Sequence, residues 1–158
     1  WKQQLTDLPQ VQLEIVDIWH FGMSAILTEE VTIEASAARI EQELDGYSPQ
    51  SLSVLEATEA LALHALGQKS FSPRCFWDLM AAAEMDFEHL YRSYVGKNVL
   101  NFFRQDNGYK DGSYVKEWQG REDNEHLVEL AEQLDSTSTA FADDLYTALD
   151  LRYKECCT

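Results

Sequence analysis

Apolar side chains recur at helical spacing along most of the 158-residue chain. Leu13, Val16, Phe21 and Ile26 mark a first helix over 10–27, entered just after Pro9. Ile33, Ala37, Ile40 and Leu44 stand at i, i+4, i+7 and i+11 and predict a second over 29–45. An Asp-Gly-Tyr-Ser-Pro turn follows at 45–49. Leu52, Leu55, Leu63 and Leu66 then predict a helix over 51–66, closed by Gly67. Ser72-Pro73 pairs a cap with a proline at the first helical position. It opens one long helix over 74–106, with Gly96 the place for a bend and Phe76, Leu79, Met80, Ala83, Phe87, Leu90 and Tyr94 as its core stripe. Beyond residue 124, Leu127, Leu130, Ala131 and Leu134 share a face. A break with capping residues covers 136–139, and Phe141, Leu145, Leu149 and Leu151 mark a last helix. β-Branched runs are short, and three prolines with seven glycines do not suit a turn-rich β protein. The pattern predicts an all-α helical bundle, one domain over 1–158, with 29–66 as bundle or dimer-interface scaffold.

Composition narrows the class. No apolar run approaches the roughly 20 residues needed to cross a bilayer, and no basic stretch leads into an apolar one at the start; a soluble protein with no membrane partner is expected. Cys75, Cys156 and Cys157 form no ligand-like spacing and are odd in number, which argues against a disulfide framework and for a cytoplasmic compartment. A net charge of −16 excludes general nucleic-acid binding, which needs broad phosphate neutralisation.

Within that anionic chain one strip is basic. Residues 92–121 hold Arg92, Lys97, Arg104, Lys110, Lys116 and Arg121, half of the twelve basic residues, against three acids, so the strip carries about +3 and the remainder about −19. A local cationic strip on an anionic protein suits a small polyanion; the bland alternative is a solvated face. Lys97, Asn101 and Arg104 fall at i, i+4 and i+7 on one helix face. Asn107-Gly108 supplies the helix stop. The Gly-, Lys- and Tyr-rich loop after it can bring Tyr109 and Lys116 back over that face. Lys, Arg, Asn and Tyr donors together suit several phosphate oxygens.

Glu14 and Asp17 lie one turn apart on the first helix. Two such carboxylates, if enclosed, repel each other unless a cation sits between them, and Mg²⁺ prefers carboxylate oxygens with water and phosphate. Otherwise both simply face solvent. Phe21 lies two turns beyond Glu14 on the same face. His20 and His64 receive no role. Glu56 with Glu59, and Glu84, Asp86 and Glu88, read as solvated.

The series Lys97-Asn98-x-Leu100-Asn101-x-Phe103-Arg104-Gln105-x-Asn107-Gly108-Tyr109-Lys110-x-Gly112-x-Tyr114-x-Lys116-x-Trp118-x-Gly120-x-Glu122-Asp123-Asn124 resembles the signature of the dimeric, all-α dUTP diphosphatases, within the MazG-like all-α NTP pyrophosphatase superfamily. Leu13-Glu14-x-x-Asp17-x-x-His20-Phe21 resembles that family's acidic helix. The resemblance implies a homodimeric, Mg²⁺-dependent enzyme that hydrolyses dUTP, and dUDP, to dUMP with release of pyrophosphate or phosphate. It implies that Glu14 and Asp17 supply half of the metal ligands and that Lys97, Arg104, Tyr109 and Lys116 bind phosphates. Asn101 and Asn124 orient the nucleotide, Trp1 and Phe21 wall the deoxynucleoside pocket (ordinary packing is the alternative for Phe21), and 107–124 closes as a lid. The family's other acidic pair, ExxE, belongs upstream of Trp1, so the chain is expected to be incomplete at its N-terminus, lacking one or two helices and the general base. Two other readings compete: a related pyrophosphatase preferring another base such as dCTP, and a nucleotide-binding interaction module without catalysis.

Overall fold

Asp7 opens the first helix. Its Oδ1 accepts from the backbone N–H of Gln10 at 3.3 Å, and a proline stands in the first turn, which satisfies one donor and removes another. A computed structural model describes residues 7–30 and 32–157. Among them the elements are α1 (Leu8–Glu29), α2 (Ile33–Leu44), α3 (Val54–Gln68), α4 (Pro73–Ala82), α5 (Phe87–Asp106), β1 (Glu117–Trp118), β2 (Arg121–Glu122), α6 (Asp123–Glu132) and α7 (Phe141–Cys157). The all-α class holds; the two-residue strands form a hairpin where only loop was expected. None of these helices is long and apolar enough to cross a membrane. The chain divides into two compact units, the first ending at Asp86 and the second beginning at Phe87.

In the first unit, α1, α2 and α3 all pack on α4. Ser72 caps α4 with Pro73 in its first turn, as expected. Trp19 of α1 stacks on Phe76 (5.1 Å between centroids) and meets Phe71 edge-on. The approach is close because Gly22 has no side chain; a Cβ there would sit 2.4 Å from the Phe71 ring. Asp78, 3% exposed, accepts from the Tyr47 hydroxyl and the Gln50 backbone N–H, each at 2.9 Å, and ties the turn before α3 to α4.

Two expectations are corrected here, the single helix over 74–106 and the core placing of Phe87. The long helix over 74–106 is two helices. After α4, Glu84 adopts a left-handed φ of +53°, with Glu84 N–H donating to Ala81 O and Met85 N–H to Met80 O. That is a Schellman stop built without glycine; Gly96, buried mid-α5, marks no break. Burial on α1 runs through Ile15, Val16, Gly22 and Ile26, whereas Leu13 and Phe21 of the expected stripe are exposed. On α2 Ile33 and Ala37 of the expected face are exposed and Ser36 is buried. On α3 Ala57 and Leu61 are buried and Leu55, Leu63 and Leu66 exposed. Phe87 and Leu151 also face outward.

In the second unit α5, α6 and α7 pack pairwise, with β1 on α7 and β2 on α6. Phe103 stands at the centre of its core, edge-on to Tyr114, Trp118, Tyr146 and Tyr153. Leu100, Leu127, Leu130, Phe141, Leu145 and Leu149 complete it. Helix α5 ends as the sequence predicts: Gly108 takes a φ of +87°, Gly108 N–H donates to Gln105 O and Tyr109 N–H to Arg104 O. This second Schellman stop aims the chain back toward the α5 face.

Candidate functional site

The strip around residue 100 folds into a cluster centred on Arg104. Its Nε donates to Asp123 Oδ2 and its Nη2 to Asp123 Oδ1, both at 2.7 Å, a bidentate fork on a carboxylate that is 0% exposed. The Arg104 side chain retains 16% exposure. Its remaining N–H edge meets two amides: Nη1 reaches Asn101 Oδ1 and Nη2 reaches Asn124 Oδ1, each at 3.5 Å. These contacts are at the weak limit of hydrogen bonding, and incoming anion oxygens can replace them. The Tyr109 ring lies under the guanidinium at 5.9 Å, within cation–π range. Hydrogen bonding to Asp123 raises the Arg104 pKa further above its ordinary value, so the cation is permanent.

Of the sequence-predicted residues, the fold therefore brings together Asn101, Arg104, Tyr109 and Asn124. Lys97 stands two turns before Arg104 on the same α5 face and is half-buried. Lys116 pairs with Glu122 at 3.3 Å, both more than half exposed, a weak surface pair that a phosphate can displace. Its backbone carbonyl accepts from Asp123 N–H at 3.0 Å.

Within the segment expected to close as a lid, Trp118 and Asp123 are buried and most other side chains are exposed. Trp118 is fully buried, its Nε1 donating to Val115 O at 2.8 Å. Tyr114 stacks on Tyr153 at 5.5 Å and donates its hydroxyl to Asp123 Oδ2 at 2.9 Å. Burial, and then the hydrogen bond to Asp123, push the Tyr114 pKa far above its ordinary value; the hydroxyl stays protonated and donating. His126 stacks on Trp118, with Nε2 3.1 Å from Trp118 O and Nδ1 3.0 Å from Arg152 Nη1. A carbonyl only accepts and a guanidinium only donates, so the proton sits on Nε2.

Sequence reasoning misses Asp123, Tyr114 and His126. A signal for Asp123 exists, because an acid closes the signature between Glu122 and Asn124 at a helix start. Its partner, however, lies 19 residues back across an irregular loop, a distance that no periodicity argument spans.

In the first unit Glu14 and Asp17 lie one turn apart on α1, Glu14 exposed and Asp17 half-buried. Gln10 Nε2 donates to Glu14 Oε1 at 2.8 Å, fixing one carboxylate oxygen. Two hard oxygen donors at this spacing fit a divalent cation that completes its shell with water and phosphate. Among the described residues no His, Cys, Asp or Glu joins them in a group of three, so they form a partial donor set. Phe21 is 73% exposed; packing within its own unit does not account for it. Trp1 lies outside the described residues. Glu56 closes a capping box with Ser53, and Glu84, Asp86 and Glu88 are exposed, in keeping with acids on a solvated surface. His64 lies 3.3 Å from Ser70 Oγ.

A family model described as dUTPase matches residues 1–109. The match covers α1 to α5 and ends at Tyr109; Lys116, Asp123 and Asn124 lie beyond it. No curated protein matches the chain.

Proposed function

The chain belongs to the dUTPase family, and on that premise we propose a Mg²⁺-dependent enzyme converting dUTP, and dUDP, to dUMP. Hydrolysis of dUTP is the family's activity, and the family uses a divalent metal. The observation that carries the proposal is the extent of the match, which includes the acidic pair and most of the Arg104 cluster. We assign Glu14 and Asp17 to the metal, with Gln10 holding the Glu14 carboxylate in one orientation. When bound, Mg²⁺ supplies charge neutralisation at phosphoryl oxygens. Arg104, Lys97, Lys116 and Tyr109 take the phosphate oxygens. The amides of Asn101 and Asn124 turn their N–H₂ groups toward the same ligand, and an exposed Phe21 face, with Trp1, serves the deoxynucleoside. The enzyme acts as a homodimer in the cytoplasm, the latter supported by three unpaired cysteines.

Release of pyrophosphate from a panel of deoxynucleoside triphosphates, with Mg²⁺ and with excess chelator, tests the reading. dUTP is expected to turn over in preference to dCTP and dTTP, and only with the metal. Glu14→Gln and Asp17→Asn each lower activity by more than the roughly 10- to 100-fold that losing a hydrogen-bond partner of a metal ligand costs. Equal or better turnover of dCTP overturns the uracil assignment. Absence of any turnover by the natural protein overturns the enzyme.

A further inference from the structure

A buried acid beside the principal phosphate-binding arginine needs a reason, since a carboxylate repels phosphate and cancels the charge that attracts it. Asp123 faces no ligand: its exposure is 0%. Both of its oxygens are taken, Oδ1 by Arg104 Nη2 and Oδ2 by Arg104 Nε and the Tyr114 hydroxyl, while its backbone N–H holds Lys116 O. What the acid provides is orientation. A free arginine samples many rotamers and loses that freedom when it grips an anion. Here the fork on Asp123 fixes the guanidinium plane beforehand. The Nη1 edge, and the second N–H of Nη2, are left pointing between Asn101 and Asn124. Asp123 is itself held by Tyr114, which is wedged into the core by stacking on Tyr153 and edge contact with Phe103.

We propose that Asp123, backed by Tyr114, is a positioning residue that presets Arg104 for the polyphosphate of the substrate. The inference rests on the reading of Arg104 as a phosphate ligand given above. It assigns Asp123 to recognition of the phosphate chain and not of the base.

The test is binding of inorganic pyrophosphate and, separately, of deoxyuridine, both with Mg²⁺, to the natural protein and to variants whose folding is checked by circular dichroism. Asp123→Asn keeps the shape and misdirects one arm of the fork. It is expected to weaken pyrophosphate about tenfold, the scale of one charge-assisted hydrogen bond, with deoxyuridine unchanged and the dUTP loss falling on KM more than on kcat. Should Asp123→Asn not fold, Tyr114→Phe keeps the ring stack and removes only the hydroxyl. It weakens pyrophosphate about two- to fivefold in the natural background. In an Arg104→Lys background, where no fork remains to be positioned, it has no further effect. Equal losses for pyrophosphate and deoxyuridine overturn the proposal, and so does a Tyr114→Phe loss as large in the Arg104→Lys background as in the natural one. A natural protein that turns over dUTP while these variants bind pyrophosphate normally sinks this inference alone; one that binds neither pyrophosphate nor dUTP sinks the functional reading with it.

Discussion

At Gly108 the backbone φ is +87° and a Cβ would fall 1.9 Å from Ser113 Oγ. Gly108→Ala therefore meets two penalties, the left-handed conformation at about 1–2 kcal/mol and a clash that must displace Ser113. We expect a loss of about 2–3 kcal/mol in urea unfolding, partly recovered by Ser113→Gly. Glu84 occupies the equivalent place at the end of α4, with φ +53°, but carries a side chain where glycine would be unstrained. Glu84→Gly is expected to gain about 0.5–1 kcal/mol, since relief of the left-handed strain exceeds the added freedom of the unfolded chain. The two substitutions thus carry opposite signs for one geometric reason. A stabilising Gly108→Ala, or a destabilising Glu84→Gly, would show that these are not the strained positions.

Between β1 and β2 the turn residues Gln119 and Gly120 have φ of +51° and +80°, the primed geometry that matches strand twist. So short a hairpin is marginal alone and is held from outside. Glu129 of α6 takes Arg121 of β2 at 2.8 Å and Arg152 of α7 at 3.1 Å. The hydrogen bond from Arg121, and then that from Arg152, hold its carboxyl below the ordinary value of 4.5. A depressed folded-state pKa contributes stability above the unfolded value and loses it as pH falls through the folded one. Glu129→Gln should accordingly unfold at a lower temperature than the natural protein at pH 7. The gap between the two midpoints should narrow as pH falls below the ordinary carboxylate value and through the lowered folded-state one; a gap that does not narrow would assign the loss to packing. Elements of this size also define what a sequence can reveal. Most of the helices announce themselves because apolar spacing repeats over three or more turns. The α4–α5 break stays hidden because its stop residue is Glu84 and not glycine, and the hairpin because two residues per strand leave no alternation to read. The α5 face with Lys97, Asn101 and Arg104 is legible from spacing, whereas the Asp123 fork that orients it is not.

For the whole molecule, the apolar surface of α3 is the feature that remains to be explained. Its inward side, Ala57 and Leu61, already meets the first unit, yet Leu63 and Leu66 are 75% and 82% exposed and Leu55 also faces out. Sequence pattern cannot separate an apolar face that meets its own chain from one that meets another, which is why the spacing over 51–66 leaves bundle core and dimer interface as alternatives. The proposed homodimer gives these leucines a partner. In a twofold interface each position occurs twice, so Leu63→Asp with Leu66→Asp alters four side chains, each worth about 1.5–3 kcal/mol when fully buried. The natural protein should scatter light as about twice the mass of one protomer. The double variant should run as a monomer at micromolar concentration, with helical circular dichroism retained because neither residue supports the fold of its own unit. A natural protein that is monomeric throughout, or a variant whose mass is unchanged, would place the subunit contact elsewhere and return this stripe to ordinary surface.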